Sequence, residues 1–196
     1  MRKLVLAAVV VLMAGGAQAV TLDVIGGQLM GATDVLVDGS LYDVQFLNGT
    51  CIDLYNGCDY VSDFTFQTEA SANLASQALL DQVFLDGPSG NFGSEPELIY
   101  GCPMFNVITF LGCVASTPYA IGNPSTLVVT SGAAFTFDPV DPSPETYVGR
   151  WNIQSGGDYA AVGFALWTFV PEPNTALLLG LGLSGLAAKG RRRNRS

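Results

Sequence analysis

Four cysteines are the residues whose type and spacing best suit covalent chemistry. Cys51 and Cys58 flank a short loop that contains Asn-Gly, whereas Cys102 and Cys113 are farther apart. In an oxidising compartment an even number of cysteines predicts two disulfides, for which three connectivities are possible. We favour the two local pairs. A straight strand over 105–111 would hold Cys102 and Cys113 about 35 Å apart, so their pairing requires a bend. A metal site is the rival interpretation, and the absence of C-x-x-C spacing and of histidine disfavours it.

Carboxylates are the other candidate chemical groups. The chain contains no histidine, which removes the commonest general base, nucleophile activator and transition-metal ligand. Two sets of acidic residues could hold calcium, although neither has EF-hand spacing: Asp138, Asp141 and Glu145, and Asp53, Asp59 and Asp63. A glycosidase needs two opposed carboxylates, which many acids could supply. The pattern favours solvated acidic loops, with no catalytic residue, no metal ligand and no cofactor.

The charges are divided along the chain. Residues 20–170 contain 16 acidic residues against one basic residue, Arg150, a formal charge of −15. The whole chain has a net charge of −9 because the other basic residues lie at its two ends. A middle region with this negative charge repels the phosphate backbone of nucleic acids, which excludes nucleic acid as a partner.

Residues 1–19 predict a secretory signal peptide. Arg2 and Lys3 precede ten apolar residues, too few to span a hydrocarbon core of about 30 Å comfortably. Ala17-Gln18-Ala19 is an A-x-A site, which predicts export through the Sec machinery and cleavage by signal peptidase after Ala19. A buried helix is the competing interpretation, and the charge, the length and the cleavage site together disfavour it.

The C-terminal end has three parts. Pro171, Glu172 and Pro173 come first, and the two prolines favour an exposed, extended segment. The 14 apolar residues 175–188 would form a helix of about 21 Å. It is short for a membrane span, but the basic residues that follow can snorkel to the interface: Lys189, Arg191, Arg192, Arg193 and Arg195. Because basic residues stay cytoplasmic, we expect the acidic domain on the outside.

This order of motif, apolar stretch and basic end over residues 170–195 resembles the PEP-CTERM sorting domain of Gram-negative bacteria. The resemblance implies that a membrane-embedded exosortase recognises Pro171, Glu172 and Pro173 and removes the tail, as GPI-type tails are removed. These three residues would then serve recognition, not catalysis. The resemblance also implies an association with extracellular polysaccharide. A permanent single-span anchor is the alternative.

The middle region, residues 20–169, is predicted to be mainly β. We expect an antiparallel sheet or sandwich with one helix, flanked by the signal helix and a short C-terminal transmembrane helix, 170–196 forming the sorting tail. Residues 34–37, an Asp-Gly turn and residues 41–47 predict a hairpin. Further strand candidates are 61–67, 105–111, 126–130, 133–137, 147–153 and 159–170. The last is apolar on both faces, which is typical of a central strand covered on both sides.

One helix interrupts the β pattern. Thr68 is a predicted N-cap, Ala72, Ala75, Leu79 and Val83 recur at helical spacing, and Gly-Pro at 87–88 ends the segment. Trp151, Trp167 and the tyrosines could stack on sugars, but their places within strand patterns favour a core role.

Together these features predict an exported, exosortase-processed surface or matrix-associated protein that is not an enzyme. We expect it to be anchored transiently in the inner membrane and then to reach the cell surface or medium. A secreted calcium- or polysaccharide-binding module and a secreted carboxylate-based hydrolase are the alternatives.

Overall fold

The computed structural model describes residues 19–102, 111–122, 127–137, 144–155 and 162–171. Seven strands of this part form one sheet: β1 (Thr21–Ile25), β2 (Gln28–Val37), β3 (Ser40–Leu47), β6 (Leu111–Ile121), β7 (Leu127–Phe137), β8 (Pro144–Gln154) and β9 (Val162–Val170). A separate short hairpin consists of β4 (Asp86–Gly87) and β5 (Gly90–Asn91), each two residues long. The prediction of a mainly β fold is confirmed.

The sheet joins two meanders through its last strand. The spatial order is β1-β2-β3-β9-β6-β7-β8, so β9 lies in the centre. β9 runs antiparallel to β3 and parallel to β6, and every other pairing among the described strands is antiparallel. The prediction of an antiparallel sheet or a sandwich is therefore corrected: the described sheet is mixed, because β9 lies beside β6 in the parallel direction. The predicted central position of β9 is confirmed.

The Asp-Gly hairpin is confirmed. Asp38 and Gly39 connect β2 to β3, and both have positive φ angles, of 47° and 80°. A two-residue hairpin turn whose twist matches the flanking strands requires such angles, and Asp-Gly adopts them readily. This turn fixes the register in which Leu36 lies opposite Leu41.

The predicted helix is also confirmed. α1 is a single turn (Cys51–Leu54), and the longer helix α2 (Glu69–Ala78) continues into a π-helical turn over Leu79–Val83. The Thr68 hydroxyl accepts the Ser71 backbone N–H at 3.2 Å, which caps α2 as expected. Its buried side chains, Ala72, Ala75, Ser76 and Ala78, are small, so α2 can approach the sheet closely.

Three of the predicted strands differ in the structure. Residues 61–67 are not a strand: Val61–Asp63 forms a 3-10 turn in which the Asp63 carboxylate accepts the backbone N–H groups of Asp59 and Tyr60. The two candidates 126–130 and 133–137 belong to one strand, β7. Local capping by Asp63 outweighed the apolar alternation in the first case.

The sequence pattern did not reveal β1 or most of β6. β6 contains small residues and Pro118, which sits next to a shift in its register with β7, and such a pattern does not alternate. Most of the candidate 105–111, the signal helix and the C-terminal transmembrane helix lie outside the described residues. In the part that the structure describes, no helix is long and apolar enough to cross a membrane.

Both predicted local disulfides are present. Cys51 pairs with Cys58 and Cys102 with Cys113, at Cα separations of 5.7 and 5.3 Å. The first disulfide closes the loop that begins with α1, where the Ile52 N–H donates to the Ser155 carbonyl at 3.1 Å. The second joins the segment before β6 to β6 itself.

Side chains alternate along β9 between two cores. Ala165 and Trp167 belong to the core under α2, whereas Phe164 and Leu166 pack with the segment that carries the first disulfide. Trp167 is 4% exposed, and its indole N–H donates to the Thr117 hydroxyl on β6 at 3.0 Å. This bond links the central strand to the second meander inside the core.

Replacing Thr117 with valine should lower the free energy of unfolding by about 1–3 kcal/mol, because the buried indole N–H loses its acceptor. The measurement is urea unfolding followed by tryptophan fluorescence. Thr130→Val is the matched control: Thr130 is fully buried, and its hydroxyl has no partner within the described residues. The control should be neutral or stabilising, and equal losses in both variants would contradict the role assigned to the indole bond.

Replacing Cys51 and Cys58 together with alanine should lower the free energy of unfolding by about 2–3 kcal/mol, since the unfolded chain regains the entropy of a short closed loop. Peptide mapping under non-reducing conditions checks the pairing directly. A map that joins Cys51 to Cys102 or Cys113, or that finds free thiols, would contradict the structure.

Candidate functional site

The end of β9 is the place where the folded domain meets the predicted sorting tail. β9 stays paired with β3 to its final residue, since Val170 lies opposite Leu41 and Phe169 opposite Tyr42. Pro171, the next residue, is exposed. No spacer therefore separates the sheet from the Pro-Glu-Pro sequence.

Near this end β9 is paired on one side only, as far as the described strands are concerned. Its pairing with β6 covers Val162, Gly163 and Phe164, and beyond them β3 is the remaining partner strand. Two hydroxyls partly replace the missing strand: Tyr55 donates to the Ala165 carbonyl at 3.0 Å, and Thr65 donates to the Trp167 carbonyl at 2.7 Å. Burial raises the pKa of the Tyr55 hydroxyl well above its ordinary range, so Tyr55 stays a hydrogen-bond donor.

A close approach of two glycines lets β9 enter the sheet. A Cβ atom on Gly163 would lie 2.8 Å from the Gly101 carbonyl oxygen, and Gly101 has a φ of 77°. Larger side chains at either position would separate β9 from the segment that leads to Cys102. These two glycines therefore help to set where β9, and hence its end, lies.

An aromatic cluster surrounds Tyr42 at the end of β9. Its ring centroid lies 5.0 Å from that of Phe66, 5.6 Å from that of Phe169 and 6.3 Å from that of Trp167. The contacts with Phe169 and Trp167 are edge-to-face, an arrangement that aromatic pairs favour. Phe169 is 52% exposed, so the cluster reaches from the core to the surface.

A cavity of about 370 Å³ opens beside this cluster. Its lining combines aromatic rings with hydroxyl, amide and carboxylate groups: Val37, Asp38, Ser40, Tyr42, Thr65, Phe66, Gln67 and Ser71. Sequence reasoning did not identify it. The lining residues come from the β2–β3 hairpin, from residues 65–67 and from α2. The sequence alone does not bring these segments together.

The predicted processing residues lie at the borders of the described chain. Ala19 is exposed, and β1 begins two residues later, at Thr21. Ala17, Glu172 and Pro173 lie outside the described residues, as do the basic residues of the tail: Lys189, Arg191, Arg192, Arg193 and Arg195. All the described strands therefore fall between the two predicted cleavage regions.

The candidate calcium ligands are not gathered in the described part of the chain. Asp53 accepts the Thr50 hydroxyl at 2.7 Å, and Asp63 is occupied by the two backbone N–H groups of its own turn. Within the described ranges no group of three or more acidic, cysteine or histidine residues could hold a metal ion. Asp138 and Asp141 lie outside those ranges, and the side chain of Glu145 is not described.

Another acidic residue, Asp86, has a structural role in the β4–β5 hairpin. Its Oδ1 accepts the backbone N–H groups of Ser94 and Gly93, both at 2.9 Å. These bonds hold the pKa of Asp86 below its ordinary value, so the carboxylate is poorly suited to act as a general acid.

The structure tests the predicted core role for one of the two tryptophans. Trp167 is buried, which confirms its core role, whereas the side chain of Trp151 is not described. Among the tyrosines, Tyr55 is 5% exposed and Tyr60 67% exposed. Among the tyrosines and tryptophans whose side chains the structure describes, Tyr42 is the one that lines the cavity.

Comparison with known proteins identifies the tail. Residues 169–193 match the family model of the PEP-CTERM protein-sorting motif. No curated protein and no solved structure matches the chain. The motif implies export, transient membrane anchoring and exosortase as the processing partner. The matched residues include the last two of β9, Phe169 and Val170, and they identify a PEP-CTERM sorting motif at this end of the chain.

Proposed function

We propose that this chain is a non-catalytic surface or extracellular-matrix-associated protein that exosortase releases from its tail. The observation that carries the proposal is the sorting motif joined directly to the central strand of a disulfide-bonded domain. A cut after β9 leaves the sheet complete, so the domain keeps its fold when the tail is lost. Disulfides persist in oxidising compartments, which is consistent with export.

A lack of catalytic activity is part of this proposal. The chain contains no histidine, and the carboxylates of Asp53, Asp63 and Asp86 bond to turns and caps. A carboxylate-based hydrolase would show turnover on a polysaccharide panel that disappears when one Asp or Glu is changed. Such turnover would overturn the proposal.

Mass spectrometry of the mature protein should find a C-terminus at or before Ala188 and an N-terminus at Val20. Replacing Pro171, Glu172 and Pro173 with alanine should prevent cleavage of the C-terminal tail, because the residues that exosortase recognises are missing. Pro88→Ala with Glu97→Ala, two exposed sites on the domain surface, is the matched control and should be processed normally. A wild-type C-terminus beyond Ala188 would contradict the processing claim.

The cavity beside Tyr42 favours a second candidate function, binding of a neutral saccharide. Saccharide sites commonly combine an aromatic ring, which covers the apolar face of a sugar, with hydroxyl, amide and carboxylate groups that bond its hydroxyls. The cavity offers the Tyr42 ring together with Asp38, Ser40 and Gln67. Its volume of about 370 Å³ lies within the range of small-molecule pockets.

Replacing Tyr42 with alanine should weaken binding of a neutral oligosaccharide about tenfold, which corresponds to about 1.4 kcal/mol of lost contact. Isothermal titration against a panel of neutral oligosaccharides measures the affinity. Tyr60→Ala, an exposed tyrosine outside the cavity, is the control and should bind like the wild type. Equal affinities in both variants would remove the cavity from the binding site.

A further inference from the structure

A row of three aliphatic side chains crosses the sheet where the tail leaves it. Leu36 on β2 lies opposite Leu41 on β3, and Leu41 lies opposite Val170 on β9. Residues directly opposite each other in antiparallel strands present their side chains on the same face. Leu36 is 51% exposed, and Leu41 and Val170 are partly exposed. We call these three residues the exit row.

Acidic residues border the exit row. Asp43 follows Leu41 by two positions on β3 and therefore lies on the same face. Its carboxylate accepts the backbone N–H of Asp34 at 3.2 Å, which brings a second acidic residue beside it. A partner that fits this end combines an apolar contact with basic groups at its edge.

The exit row and the sorting motif share a residue. Val170 is the third member of the row and the second residue of the matched motif. A strand rises by about 3.3 Å per residue, so an enzyme that holds Pro171–Pro173 has to lie beside the exit row. The sheet pairing of Val170 with Leu41 leaves no slack to move the domain away.

We propose that the exit row is a second contact surface for exosortase, which recognises the folded end of the sheet together with the motif. This inference rests on the proposed function, since it requires exosortase to process the chain. The acidic border favours a protein with basic groups over an anionic lipid surface, because like charges repel. The row thus extends recognition from a linear motif to the folded domain.

The test is pulse-chase processing of the full chain coexpressed with its exosortase. Leu36→Thr removes the most exposed member of the row but keeps a residue that favours strands. We expect processing to slow at least fivefold, whereas Leu36→Ile should process at close to the wild-type rate. Ile25→Thr is the matched control, since Ile25 is 63% exposed and lies at the opposite end of the same pair of hairpins. Thermal melts of the purified domains establish that each variant is folded.

An insertion variant separates the row from the motif. Inserting the four residues Gly-Ser-Gly-Ser between Val170 and Pro171 leaves the domain and the Pro-Glu-Pro sequence unchanged. We expect processing to slow, because the exit row no longer lies next to the Pro-Glu-Pro sequence. Processing of Leu36→Thr and of the insertion at the wild-type rate, or faster, would overturn the exit row as a recognition surface. If the wild-type chain itself is not processed, the proposed function fails instead, so the two failures are distinct.

Binding to lipid vesicles tests whether the exit row contacts the membrane surface instead of exosortase. Cosedimentation of the domain without its tail with vesicles of phosphatidylcholine and anionic phosphatidylglycerol should show no binding that depends on Leu36. Binding that is lost in Leu36→Thr, together with unchanged processing, would assign the row to the lipid surface and overturn the proposal.

Discussion

The pairing of β9 with β3 on one side and β6 on the other is the interaction on which the rest of the structure depends. β1–β3 and β6–β8 are separate meanders, and among the described strands β9 is the one that joins them. Its alternating side chains also contribute to both cores, with Trp167 on one face and Phe164 on the other. Without this strand the meanders would be two small sheets, each with an uncovered edge and an exposed apolar face.

The place of β9 in the chain joins the end of the fold to the sorting motif. It is the last of the described strands and the central one, so the described sheet can close only when the chain as far as residue 170 is available for pairing. The match to the sorting motif begins within the strand, at Phe169, and continues beyond its last residue, Val170. The residues that complete the described sheet and those of the sorting motif are therefore contiguous, and a cut after β9 would remove none of the pairs between the described strands.

One end of the sheet carries both surfaces that we link to function. Successive residues of a strand point to opposite faces, and so Tyr42 lines the aromatic cavity whereas Leu41 belongs to the exit row. Single-sided pairing of β9 beyond Phe164 leaves this end open, with hydroxyls from Tyr55 and Thr65 in place of a neighbouring strand. The strand end thus combines a polar-aromatic cavity on one face with an aliphatic row bordered by acidic groups on the other.

The sequence alone determined the features whose physical cause is local. The Asp38-Gly39 turn, the Thr68 cap and the sorting motif depend on neighbouring residues, and β9 revealed its central place because both of its faces are apolar. β6 escaped prediction because its small residues and Pro118 become a strand through pairing with β7 and β9. Only the tertiary structure decided the mixed sheet, the cavity and the exit row. Each arises from segments far apart in the chain, which long-range strand pairing and packing against α2 bring together.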